Sequence, residues 1–204
     1  MVKCRHFFDR IKKYENMKKR HRIFVAINLP MEIKKELIGY QKKWPELPSK
    51  LTAPNNLHIT LAFLGDLTDI ELGEACLAIK EVSGRHSSFS INFKKISYGP
   101  EGKIPPRMIW AIGEKSKELL SLKKDLQNSL LEKSGLASDQ KSLSPHITLA
   151  RISAFKWRAI EIEERPEVNE NIDLVFTVES IEVMESILKR TGPEYTIIES
   201  MQLR

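Results

Sequence analysis

One pentapeptide occurs twice in this chain, as His58-Ile59-Thr60-Leu61-Ala62 and, 88 residues later, as His146-Ile147-Thr148-Leu149-Ala150. Among roughly 20,000 position pairs, a coincidence of that length has a probability of about one or two per cent for ordinary composition. Context strengthens the match. Each copy opens an apolar run after a polar or proline-bearing loop, Pro54-Asn55-Asn56 before the first and Leu143-Ser144-Pro145 before the second. Two related halves are therefore expected, each built around one of these segments. On a strand, side chains alternate between faces, so His58 and Thr60 share one face while Ile59 and Leu61 share the other. His146 and Thr148 stand in the same relation to Ile147 and Leu149. Each copy anchors itself in the core through its apolar pair and offers an imidazole beside a hydroxyl. Two such strands side by side would line a cleft with two His and two Thr.

Continued alternation makes two further predictions. Phe63 falls with Ile59 and Leu61 on the core side, and stacking on a base is its less favoured alternative. Arg151 falls on the face of Leu149, so that only a twist or a strand end would bring its guanidinium to the side of Thr148.

The flanking sequence alternates strand and helix patterns. Residues 23–28 read as a buried strand, 31–43 as a helix stopped by Trp44-Pro45, 45–54 as a loop and 57–64 as a strand closed by Gly65-Asp66. Residues 70–82 carry Leu72, Ala75, Cys76, Ile79 and Val82 at helical spacing, and 89–97 alternate as a strand. The second half repeats the plan with a strand at 108–112, a long helix at 116–134, a polar loop at 135–145 and the second motif strand at 146–152. Segment 153–171 reads as a charged surface excursion, and 174–178, 181–187 and 195–200 as strands. Late hairpin-like spacing favours an α+β fold with largely antiparallel sheets over a doubly wound one.

With 204 residues, 41% of them apolar, the chain is long enough for one domain, or two small lobes sharing a core, and too apolar to be disordered. No apolar run approaches the roughly 18–20 residues of a membrane-spanning helix, and none the roughly 7–15 of a secretory signal. Cys4 and Cys76 offer neither a disulfide framework nor a CxxC pair, so a reduced, cytoplasmic setting is expected. The net charge of +6 is concentrated: residues 1–22 carry nine Lys and Arg against Asp9 and Glu15, a local +7 that leaves the rest at −1. Residues 1–21 are accordingly expected to form a basic extension and residues 22–204 the functional domain. A near-neutral body argues against a long-duplex binder, which needs many phosphate contacts, and leaves a small or terminal phosphate ligand open. A monomer is expected.

Paired His-Thr motifs suit the opening of a cyclic phosphodiester. That reaction needs a base to deprotonate water and an acid to protonate the departing oxygen. Imidazole, with an unperturbed pKa of about 6.5, can do either. Threonine hydroxyls held on packed strands can donate to the non-bridging oxygens as they gain charge. The residues alone leave open which histidine plays which part. A zinc site is disfavoured, because catalytic zinc usually takes three protein ligands and neither motif holds Asp, Glu or Cys. His6, His21 and His86 lie in polar segments and are expected at the surface. Trp110 is read as packing, Trp157 as a surface residue, and the leucines of 119–131 as core.

At these positions the chain resembles the 2H phosphoesterase superfamily, defined by two His-x-Thr/Ser motifs. Within it the chain is similar to the bacterial and archaeal RNA 2′,3′-cyclic phosphodiesterases, historically called 2′-5′ RNA ligases. The resemblance runs through Arg22-Ile23-Phe24-Val25-Ala26-Ile27-Asn28-Leu29-Pro30, Asn56 to Gly65, and Ser144-Pro145-His146-Ile147-Thr148-Leu149-Ala150-Arg151, and covers roughly residues 22–200. It implies a bilobal fold with two pseudo-symmetric lobes around a central cleft. It also implies hydrolysis of RNA 2′,3′-cyclic phosphate ends to 2′-phosphomonoesters with neither metal nor cofactor. On that pattern His58 gives a proton to the leaving 3′ oxygen, His146 acts on water, and Thr60 and Thr148 hold the phosphate; Arg151, directly after the second motif, is a further candidate cationic contact to it. The alternatives are a related enzyme of small cyclic nucleotides or 2′-5′-linked oligonucleotides, and a non-catalytic module that binds nucleotides or RNA ends. A degenerate module is expected to lose a histidine or threonine of the two motifs, and all four are present.

Overall fold

A computed structural model describes residues 20–137, 144–190 and 192–204. Most of the predicted basic extension, with Cys4 and His6, and part of the loop at 135–145 lie outside the described residues. Strand β1 (His21–Asn28) is buried continuously from Ile23 to Ile27, as its unbroken apolar run requires. Leu29-Pro30 ends it and leads into helix α1 (Met31–Gln41). A short strand, β2 (Ser49–Leu51), lies inside the segment expected to be loop, followed by a 3-10 turn (Pro54–Asn56) and the first motif strand, β3 (His58–Leu67). Helix α2 (Asp69–Ser83) opens on a capping box: the Thr68 hydroxyl accepts from Glu71 N–H while the Glu71 carboxylate accepts from Thr68 N–H at 2.8 Å. Strands β4 (Phe89–Gly99) and β5 (Met108–Gly113) precede the long helix α3 (Lys117–Ser134). Ser116 caps α3, and Gly135 ends it with a left-handed φ of 63°. Leu119, Leu122, Leu126 and Leu130 of its stripe are buried, whereas Leu120 and Leu131 face outward.

The second motif strand, β6 (His146–Ile152), runs into a short helix α4 (Ala154–Arg158), and the chain ends in β7 (Asn169–Val178), β8 (Ser180–Lys189) and β9 (Gly192–Gln202). β7 starts earlier than expected because its outward face is polar, with Asn171 and Asp173 alternating against buried Ile172 and Leu174. Two surface expectations are corrected. Trp157 is only 5% exposed, since α4 folds its indole against Tyr98, ring centroids 5.4 Å apart. His21 is buried because two carboxylates hold both its ring nitrogens, Glu185 at 2.7 Å and Asp69 at 3.1 Å.

All strands join one sheet in the order β7-β4-β5-β6-β3-β1-β8-β9, with β2 added beside β6, and every pairing is antiparallel. The two motif strands pair with each other at one position, Ile59 opposite Ile147, and β2 takes up the β6 edge beyond it. Helices α2 and α3 pack on each other and on the sheet. Ile23, Val25 and Ile27 join the main core with them, while Phe24 and Ala26 belong to a separate cluster with Met184 and Tyr195. That second face carries the motif histidines.

Candidate active site

The two motif strands share a defect. In the first half Val25 pairs with Ala62 and Ala26 with Thr60, which leaves Leu61 as an extra residue. In the second, Ile109 pairs with Ala150 and Trp110 with Thr148, leaving Leu149 extra. A bulge of this kind resets the alternation of every residue that follows. Leu61 and Ala62 are therefore both buried, as are Leu149 and Ala150. The residue after each pair is turned outward on the histidine side. Phe63, expected in the core, is 59% exposed and approaches the Phe24 ring at 6.1 Å, beside His58. Arg151, expected on the far face, reaches the Met108 sulfur at 4.0 Å, the same sulfur that faces the Thr148 hydroxyl at 3.9 Å. The bulge carbonyl of Leu149 does not go unpaired: it accepts from Gln41 Nε2 and Thr52 N–H, both at 2.8 Å.

Ile59 and Ile147 form the bridge, so antiparallel continuation sets His58 against Thr148 and Thr60 against His146. All four side chains are half-buried, above Ile59 and Ile147, which are fully covered. Each imidazole is fixed by its own loop. His58 Nδ1–H donates to Asn56 O and His146 Nδ1–H to Ser144 O, each at 2.7 Å. A carbonyl can only accept, so in both neutral rings the lone pair lies on Nε2. The Thr60 hydroxyl donates to His58 Nε2 at 3.0 Å.

Burial, together with the charges of His146, Lys34 and Arg151, pushes the His58 pKa down to about 4, against the opposing pull of the Asn56 carbonyl. Burial also holds His146 below its ordinary value, with the Ser144 carbonyl acting the other way. Lys34 and Trp110 are residues whose part in the site sequence reasoning missed. Lys34 is 7% exposed and donates to Asn28 Oδ1 at 2.8 Å, on the residue paired with His58. Asn28 N–H in turn donates to buried Glu182 at 3.1 Å. No local pattern around Lys34 announces this, because its role depends on β8. Trp110, expected only to pack, stacks its indole on His146 with ring centroids 3.9 Å apart. The fold thus gathers His58, Thr60, His146, Thr148 and Arg151 on one face of the sheet. His86, expected at the surface, pairs with Asp125 at 3.0 Å, away from this site. Among the described residues no group of three or more His, Cys, Asp or Glu is arranged to hold a metal ion, and no helix is long and apolar enough to cross a membrane.

Comparison with known proteins points the same way. Residues 27–110 match the model of the LigT like Phosphoesterase family. The RNA 2′,3′-cyclic phosphodiesterase of Aquifex aeolicus is 29% identical over 190 residues, covering 88% of this chain and 89% of the relative. That of Bacillus subtilis is 33% identical over 138 residues, covering 66% of this chain and 70% of the relative. The crystal structure of TT0787 of Thermus thermophilus superposes with a TM-score of 0.76 at 30% identity, covering 90% of this chain and 98% of the other.

Proposed function

The chain belongs to the LigT-like phosphoesterase family, and from that premise we propose that it hydrolyses RNA 2′,3′-cyclic phosphate ends to 2′-phosphomonoesters, with two histidines as acid and base. The observation that carries the reading is the pair of His-Thr dyads on strands that share their register at the motif and the bulge directly after the threonine. His146, its Nδ1–H committed to Ser144 O, offers its Nε2 lone pair to a water. The water oxygen bonds to phosphorus, its proton passes to His146, and the bond from phosphorus to the 3′ oxygen breaks. His58 Nε2 gives a proton to that oxygen, and the phosphate stays on the 2′ oxygen. Solvent exchange then returns both rings to their starting states. Thr60 and Thr148 donate to the non-bridging oxygens, and Arg151, turned inward by its bulge, supplies a cation beside them. The test is incubation with excess chelator and an oligoribonucleotide ending in a 2′,3′-cyclic phosphate. Accumulation of the 2′-phosphate is expected; binding of the RNA without conversion would favour a non-catalytic binding module.

The electrostatics add a pH signature. Without substrate bound His58 is neutral near pH 7, because its pKa lies at about 4. To act as the acid it must gain a proton when the anionic phosphate arrives, which raises its pKa in the complex. Between the free and bound pKa values the complex therefore holds more protons than the free protein, and affinity falls as pH rises through the bound value. The measurement uses the His146→Ala variant with the intact cyclic phosphate, whose single charge is constant from pH 5 to 9. Calorimetry at pH 7 in two buffers of different ionisation enthalpy is expected to read a net uptake of protons on binding. Affinity independent of pH, with no uptake, would remove His58 from the acid role.

A further inference from the structure

Around the two motifs the strand pairings match residue by residue, and Trp110 breaks the match. It stands opposite Thr148 on β5 at the place that Ala26 takes opposite Thr60 on β1. A residue with almost no side chain in one half is answered by the largest side chain in the other. The indole covers the face of His146, with ring centroids 3.9 Å apart and planes 26° from parallel. His58 has no such cover; it meets Phe24 at a tilt, at 5.1 Å, and the edge of Tyr195 at 5.3 Å. The indole also has a fitted seat. A Cβ on Gly99 would stand 2.2 Å from Trp110 Cδ2, so β4 passes beneath the ring only because that residue is glycine. The indole N–H is buried and meets no protein acceptor among the described residues. What this position uses is the ring face.

We infer that Trp110 is the positioning residue of His146. The stacked indole fixes the imidazole plane, so that Nε2 bears on the attacking water. It also screens the ring from solvent, in keeping with the burial that holds His146 below its ordinary pKa and so in the neutral form a base requires. The pseudo-symmetric histidine is buried by other groups, with Phe24 and Tyr195 against it, and has no ring stacked on its face. This inference rests on the reading of His146 as the base.

The test uses Trp110→Leu and Trp110→Phe in the full chain, with Gly99→Ala as a variant that keeps the indole but pushes it from its seat. Trp110→Leu is expected to lower kcat about tenfold while KM stays within about twofold. Trp110→Phe should restore kcat to within about threefold, and Gly99→Ala should behave as Trp110→Leu does. The His146 imidazole, followed by NMR, should titrate higher in Trp110→Leu and Gly99→Ala, and at the wild-type position in Trp110→Phe. Circular dichroism checks that each variant is folded. A Trp110→Leu protein with wild-type kcat, or an unmoved His146 titration, would overturn the inference. The titration needs no turnover. If the wild-type protein fails to open cyclic phosphates but the His146 titration still moves, the functional reading falls and the coupling of Trp110 to His146 stands.

Discussion

His58→Ala and His146→Ala are each expected to lower turnover of an RNA 2′,3′-cyclic phosphate by about 10²–10⁴-fold, the range over which a positioned acid or base contributes. Affinity for the same RNA should stay within about threefold. The phosphate contacts proposed for Thr60, Thr148 and Arg151 survive both changes, and the motif strands are anchored by Ile59 and Ile147 on the opposite face, which neither change touches. Folding is not at risk for a second reason. Burial already disfavours a charged imidazole at position 58, so its removal lifts an acid-sensitive element from the fold. The double variant should be less than about tenfold worse than the poorer single one, because acid and base serve the same step and their losses do not multiply. Single-turnover kinetics with saturating protein separate this from weakened binding. Turnover that survives His58→Ala would show the acid to be another group. A loss confined to KM in His146→Ala would make that residue a binding contact.

The repeat makes the centre of the molecule legible. Its alternation puts His58, Thr60, His146 and Thr148 on one face, and the structure has them there, with Ile59 and Ile147 buried behind them. Strands, helices and the antiparallel sheet follow from period-2 and helical spacing, together with Pro and Gly punctuation. Legibility ends three residues after each Thr. Simple alternation puts Phe63 and Arg151 on the wrong face because it runs straight through Leu61 and Leu149, where each strand holds one residue too many. A bulge is set by what the neighbouring chain offers. The Leu149 carbonyl is held by Gln41 and Thr52, from segments about a hundred positions earlier, and nothing in the five letters of the repeat encodes that. Trp157 and Lys34 escape sequence reasoning for the related reason that charged neighbours surround each in sequence while the fold buries both. One trace is available. The bulge occurs in both copies, so positions 63 and 151 are equivalent places in two related halves. One holds an aromatic ring, beside Phe24, and the other a guanidinium, beside Met108.

Thr60→Val and Thr148→Val should each reduce kcat by about 10²-fold, the loss seen when one fixed donor to a developing oxyanion is removed. Valine keeps the volume and the β-branching, so the strand and its register are preserved. Serine at either position should recover activity to within about tenfold, because the hydroxyl returns. The two valine variants should nevertheless differ. The Thr60 hydroxyl donates to His58 Nε2 at 3.0 Å, whereas the Thr148 hydroxyl faces the Met108 sulfur at 3.9 Å. A bond donated to the lone pair favours the neutral ring. Its loss in Thr60→Val leaves Nε2 easier to protonate, and the His58 titration should move up from about 4. Thr148→Val should leave that titration where it is. NMR titration of the His58 ring in both variants checks this, alongside kcat. Equal titrations would mean that the Thr60 hydroxyl does not compete for the His58 lone pair. Wild-type kcat in both would mean that the negative charge of the transition state is met by Arg151 and backbone donors instead. The sequence repeat treats the two threonines as equivalent; their partners in the folded cleft predict that they are not.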